Sequence, residues 1–303
     1  MTRLSAATAC LLTLLAGSAC RPGHRGASAS ADSTEIGLRE ARLAAVLARP
    51  DSGAARGAPV ARWLLRGDLK EISGLALTKD GRLFAHGDER GQVSEIDYRR
   101  GVVVKRFVLG SKGVHADFEG IAVAGDVMFL LSSKGKLYEF QEGADGAQVE
   151  YIVHDTRLGH ECEFEGVAYD PKLNALLLAC KRVRTEGPLQ DSLVIFRWQL
   201  PSGIGSLPSR LTVPLTQVIG SNKWKGLHPS DITVDPVSGN YVLVSAEEKA
   251  LIEITPAGVV VFSRPLPASL EHTEGVAITR DSILLLSDEA GQKPAAISLY
   301  RWH

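Results

Sequence analysis

Phe118-Glu119-Gly120-Ile121-Ala122 and Phe164-Glu165-Gly166-Val167-Ala168 are the same phrase written twice. Looser copies flank them: Ser73-Gly74-Leu75-Ala76, Ser230-Asp231-Ile232-Thr233 and Glu274-Gly275-Val276-Ala277. Measured at Gly74, Gly120, Gly166, Asp231 and Gly275, the intervals are 46, 46, 65 and 44 residues. A fixed period of this size marks a chain built from copies of one supersecondary unit that buries its apolar face against its neighbours.

Each phrase runs into a turn such as Thr78-Lys79-Asp80-Gly81, Asp170-Pro171-Lys172-Leu173-Asn174 or Asp235-Pro236-Val237-Ser238-Gly239, built from residues that tolerate turn geometry. A second apolar run follows in every unit, at 82–87, 127–132, 175–180, 240–245 and 282–287. A third alternates at 92–97, 136–140, 192–198, 250–255 and 296–302, and a fourth is visible at 101–109, 147–154 and 259–266. Four short antiparallel strands per period predict an all-β fold, a β-propeller of five four-stranded blades. The last unit reaches the C-terminus after three strands, and an unmatched strand within 59–68 completes it, closing the ring without an open edge. Residues 201–226 leave room for a degenerate sixth blade that lacks the phrase. A two-sheet sandwich does not explain so regular a period.

The chain divides into 1–19, 20–58 and 59–303. Arg3, the apolar run 6–16 and the small residues Gly17, Ser18 and Ala19 read as a signal peptide, too short for the roughly 20 apolar residues of a spanning helix. Cys20 follows directly, and 14–20 resembles a lipobox, in which that cysteine carries lipid; Gly17 stands where leucine is usual, so cleavage without acylation stays open. The expected address is the cell envelope, on its periplasmic or extracellular face, with the membrane reached by a lipid anchor alone. The stretch to residue 58 is rich in Ala, Gly, Ser and Arg and reads as a flexible tether. Asp32 and Glu35 have the spacing to cap a short helix carrying Leu38, Leu43, Ala44 and Leu47. With 34 basic against 35 acidic residues and no basic run, nucleic acid is not an expected partner.

The first strand of a blade lines the axis, so equivalent positions form rings. The residues before the glycine position are Ser73, Glu119, Glu165, Ser230 and Glu274; two residues earlier stand Glu71, Asp117, Glu163, His228 and His272. Six carboxylates, two imidazoles and two hydroxyls around a narrow axis must hold protons, find cations or bind a metal. Three readings follow. Lys134 and Lys181, standing where other blades have Glu89, Glu247 and Glu289, bridge the ring as channel counter-charges. Alternatively a divalent cation binds, calcium if oxygen dominates and a transition metal if His228 and His272 take part. Carboxyls with raised pKa acting as general acid and base are the third. His115 and His160 read as solvated rim residues. Cys162 and Cys180 are a candidate disulfide, but a regular hairpin sets Cys180 opposite Glu165, so pairing needs a bulge.

The GxSxG elbow, the phosphate-cradling glycine loop and the HExxH and CxxC motifs are absent from the sequence. Trp63, Trp198, Trp224 and Trp302 are scattered, with Trp198 and Trp302 at corresponding third-strand ends; Lys223-Trp224-Lys225 offers a loop able to reach over a face. The five phrases, with Gly87-Asp88-Glu89, Ser245-Ala246-Glu247 and Ser287-Asp288-Glu289, resemble the SdiA-regulated, YjiK-like family of bacterial envelope proteins over 71–303. That resemblance implies a propeller behind an N-terminal membrane or lipid anchor and implies no reaction. More distantly the layout is similar to phytase-like and gluconolactonase-like calcium-dependent propellers, whose full ligand sets this chain does not match. The leading expectation is a lipid-anchored binding or scaffold module for an envelope protein or small ligand. The alternative is a calcium-type hydrolase of phosphate esters or lactones using the same mouth.

Overall fold

The computed structural model describes residues 26–49, 57–65, 67–201 and 208–302. The expected signal peptide and Cys20 lie outside the described residues.

Five sheets form the ring expected from the period, antiparallel throughout except where the short strand Gln148–Val149 adds parallel to Val102–Leu109 at the outer edge of one of them. Their innermost strands are Ile72–Leu77, Phe118–Ala124, Cys162–Asp170, Asp231–Val234 and Thr273–Ile278, and these define blades 1 to 5. Blade 5 takes its outer strand from the N-terminal side: Ala61–Leu64 pairs antiparallel with Ala296–Arg301, Ala61 opposite Leu299 and Leu64 opposite Ala296. The strand ahead of blade 1 and the last strand of the described chain thereby share one sheet, which removes the exposed strand edges that an open array would present. Five apolar cores fill the five seams between blades, because each sheet is apolar on both faces and buries each against a neighbour.

Blade 3 settles the long interval. Its outer strand, Ser209–Pro214, lies inside the segment that offered room for a sixth blade, and the helix Leu215–Ile219 follows it. Val213, Val218 and Leu227 then enter the core between blades 3 and 4, with Trp224 partly buried against them. The described part of this segment therefore completes a blade, and Trp224 packs inward rather than reaching over a face. The other indoles also pack: Trp302 donates to Asp235 Oδ2 at 3.1 Å, and Trp63 donates to the Tyr98 carbonyl at 2.7 Å.

A helix, Gly26–Leu47, begins upstream of Asp32, so Asp32 sits inside it rather than at its cap. It docks on the propeller. Leu43 is buried in the seam between blades 5 and 1, and the Arg301 guanidinium donates to the carbonyls of Val46 (2.6 Å) and Leu47 (3.2 Å). Among the described residues no helix is long and apolar enough to cross a membrane.

The repeated glycine has a physical reason. In blade 1, Ile72 faces Gly87 and Gly74 faces His86, so Ser73 has no partner in the ladder; Glu119, Glu165 and Glu274 are skipped in the same way. Each is the extra residue of a β-bulge, which bends its strand and re-aims the side chain. The following glycine then packs against the next blade's backbone. A Cβ on Gly120 would lie 2.7 Å from the Val167 nitrogen, and one on Gly166 would lie 2.8 Å from the Asp231 Cα. Glycine is what lets the inner strands approach this closely.

Candidate functional site

The bulges divide the axis into two ends. At the upper end, Glu165 is buried and Glu119 and Glu274 are partly buried. Lys181 reaches them because the ladder of blade 3 slips again: Glu163 faces Arg182 and Phe164 faces Cys180, leaving Lys181 unpaired and free to turn over the mouth. Its ammonium donates to Glu165 Oε1 at 2.6 Å. Burial pushes the Glu119 carboxyl far above the usual range, and the charges of Glu165 and Asp117 push it the same way. Burial and Glu165 also raise Glu274, to about 7. Burial alone would disfavour the charged ammonium, but Glu165 holds Lys181 above its ordinary value. Burial raises Glu165 as well, while its bond to Lys181 pulls it back, so Glu119 is the carboxyl most favoured as the acid, Glu165 the one the ammonium favours charged, and Glu274 is near its midpoint at neutral pH.

The other ring positions go elsewhere. Ser73 Oγ donates to the Glu71 carbonyl (3.3 Å), and Ser230 Oγ donates to the Thr273 carbonyl (2.6 Å), which stitches blade 4 to blade 5. Of the residues two positions earlier, Glu71 pairs with Lys70 at 2.9 Å and Asp117 accepts from Ser133 Oγ. Glu163 faces Arg184 at 3.5 Å and Arg182 at 3.9 Å. His272 is exposed, as is Lys134, which forms no ion pair with the ring among the described residues. Of the ten positions, Glu119, Glu165 and Glu274 converge with Asp117 beside Glu119, Ser230 bonds across to blade 5, and Glu163 and His228 meet partners on their own blades. His115 and His160 are exposed at the rim.

A cavity of about 600 Å³ opens beside this triad between blades 3, 4 and 5, lined by Lys181, His228, Ser230, Glu247, His272 and Glu274 among others. On its wall, one ligand atom from each of His228, Glu247 and Glu248 lies within 4.8 Å of the others. His228 Nδ1 is 2.8 Å from Glu248 and 3.4 Å from Glu247. Arg182 already pairs with Glu247 at 2.9 Å, and Glu248 accepts from Ser245 Oγ and, at 3.0 Å, from the His228 N–H. A cation held here would have to displace Arg182. Glu248 has no counterpart in the ring pattern; the adjacent Glu247-Glu248 pair was its one signal.

Asp88 is a second addition. It stands near Glu71, Glu89 and Glu289 at the seam of blades 5 and 1, and burial followed by the Glu71 charge raises its carboxyl. Burial and the charge of Asp88 likewise raise Glu289. Its signal was the Gly87-Asp88-Glu89 strand ending.

Cys162 and Cys180 form a disulfide with their Cα atoms 5.8 Å apart. The bulge at Glu165 moves Cys180 opposite Phe164 rather than Glu165, two residues from Cys162, and the two cysteines bond diagonally across the strand pair. Below the triad, blade 4 has Asp231 where the other blades have glycine. Its carboxyl is fully buried on the axis, accepts from the Val276 N–H at 2.8 Å, and is pushed strongly upward by burial.

This arrangement is a five-bladed propeller with an acidic axial mouth. No family model matches the chain, and no curated protein matches it. Among solved structures it is similar to glutaminyl cyclase from Myxococcus xanthus, with 13% identity, 80% of this chain and 94% of that chain covered, and a TM-score of 0.55. It is also similar to the PQQ-bound aldose sugar dehydrogenase from Streptomyces coelicolor, with 13% identity, 79% and 97% covered, and a TM-score of 0.49. At this identity the likeness to the cyclase is one of fold.

Proposed function

We propose that this protein is an exported, lipid-anchored propeller of the bacterial cell envelope, of the SdiA-regulated, YjiK-like kind, acting as a binding module that takes a divalent cation at its acidic mouth. The leader-like residues 1–19 and Cys20 support the address. The observation that carries the binding role is geometric: three bulges aim Glu119, Glu165 and Glu274 at one end of the axis, where among the described residues Lys181 is the ammonium that bonds one of them. Glu71, Asp88 and Glu289 stand close by at the next seam. Carboxyls gathered this way favour a hard cation with oxygen ligands.

The test is elemental analysis of untagged protein, followed by calorimetric titration with calcium. The expected result is saturable uptake of one calcium per chain, weakened at least tenfold in Glu274→Gln. No uptake after calcium is offered would overturn the cation and leave a lysine-bridged scaffold. Acylation is tested by metabolic labelling with a radioactive fatty acid, with label lost in Cys20→Ser.

One observation favours a second reading, hydrolysis of phosphate esters or lactones. Burial raises both Glu119 and Glu165, but Lys181 donates to Glu165, and two neighbouring carboxyls in unequal surroundings are the pattern of an acid and base pair. An esterase, lactonase and phosphatase screen tests it: activity lost in a folded Glu119→Gln variant supports it, and a silent screen with calcium present sinks it.

A further inference from the structure

The lower end of the axis carries a second cavity, of about 900 Å³, on the far side of Asp231 and the glycines. It is lined by the inner strands after each glycine, where the side chains become apolar: Leu77, Val123, Tyr169 and Val234 are only partly buried, and Ile278 joins them from blade 5. A cavity of this size with apolar walls suits an organic molecule rather than an ion.

The lip decides which molecule. Its carboxylates are already held: Glu95 pairs with Arg82 (3.4 Å) and Lys105 (3.5 Å), and Asp97 pairs with Arg100 (3.6 Å) and accepts from the backbone N–H groups of Arg99 and Arg100. Asp170 accepts from Tyr241 Oη (2.7 Å) and from its own turn, and Asp235 accepts from Trp302 Nε1 (3.1 Å) and the Val237 N–H (2.8 Å). Asp281 pairs with Arg99 (2.7 Å), and Asp80 pairs with Arg82 (3.1 Å). Lys79, Lys172 and Arg280 are exposed at the same lip and form no ion pair among the described residues. Asp80 and Asp281 are exposed too but carry those arginine partners, and Asp126, exposed beside Gly125, forms no ion pair among the described residues.

We infer that this funnel binds an amphipathic anion, a single acyl chain in the apolar throat with its acidic head at Lys79, Lys172 and Arg280. Chain burial supplies the affinity, and the lip cations select the sign of the head. The site is independent of the cation reading, because Asp231 and the close-packed glycines separate it from the mouth.

The test uses the full chain with Cys20→Ser, which needs no detergent, and a dansylated undecanoic acid as fluorescent probe. Saturable one-to-one binding is expected, displaced by laurate and not by dodecyltrimethylammonium. Lys79→Gln, Lys172→Gln and Arg280→Gln combined should weaken it three- to tenfold and flatten its salt dependence. Val123→Trp, which fills the throat, should weaken it at least tenfold, and Glu274→Gln at the mouth should leave it unchanged. The triple variant changes only exposed side chains, so the charge claim stands or falls even if Val123→Trp fails to fold. Absence of saturable binding, equal displacement by the cationic detergent, or binding to phosphatidylglycerol vesicles alone would overturn the inference.

Discussion

The two ends of the axis are made by the same five strands, yet one is a mouth of carboxyls and the other an apolar funnel. The boundary is the glycine. Before it, a bulged residue has no ladder partner, and in blades 2, 3 and 5 that residue aims a carboxyl at the axis; after it, regular pairing resumes with Leu-Ala-Leu, Ile-Ala-Val and Val-Ala-Tyr. One irregularity, repeated in blades 1, 2, 3 and 5, therefore gives a single sheet system two opposite surfaces. Blade 4 lacks the bulge and the glycine, and its Asp231 side chain occupies the divide.

If the glycine is the divide, enlarging it should do the most damage. A side chain on Gly120 meets backbone, not a movable side-chain tip, so Gly120→Val should cost about 3 kcal/mol or more and leave little folded protein. Gly37, in the N-terminal helix with nothing within 4 Å, is the control: Gly37→Ala should be neutral or stabilising by up to about 1 kcal/mol. Urea unfolding measures both, and a Gly120→Val variant as stable as the parent would mean that the strands can part without cost.

The mouth is sharpened next by removing its ammonium. Lys181→Met leaves Glu165 buried without its partner, and with Lys181 itself partly exposed the loss should be about 2 kcal/mol near neutral pH. Adding Glu165→Gln should restore more than half of it, since the unpaired charge is then gone. If the double variant is no more stable than the single one, the lysine acts through packing and not through the ion pair.

The period alone made the ring legible, because blade number, closing strand and turns all follow from local residue choices that recur. The mouth was legible only in part. Glu119, Glu165 and Glu274 could be placed because the phrase itself marks the bulge. The outer ring could not, since the positions of Glu163 and His228 are decided by Arg184 and Glu248, partners that no period relates to them. The disulfide turned on the same bulge, which shifts Cys180 by one position, and a regular hairpin hides that shift. The helix start was missed because Asp32 and Glu35 imitate a cap. The funnel was hidden by its ordinariness, as a row of apolar residues after each glycine reads equally well as core.

The smallest expected effect separates the ends by pH. Glu274 titrates at about 7 in the folded protein against an ordinary value of 4.5, so the folded state keeps a proton that the unfolded chain releases. Its effect on stability is absent below the unfolded pKa, grows as a penalty while pH rises through about 7, and is complete above that. Glu274→Gln removes the penalty. The variant should match the parent at pH 4 and exceed it at pH 8 by about 1 kcal/mol after allowing for partial exposure, roughly 2–4 °C in Tm. Calcium added at pH 8 should narrow that gap by stabilising the parent more than the variant. Lys79→Gln, at the opposite end, should show no such pH dependence. A gap that is constant from pH 4 to 8 would mean that Glu274 is solvated like an ordinary surface carboxylate and that the mouth holds no excess of charge.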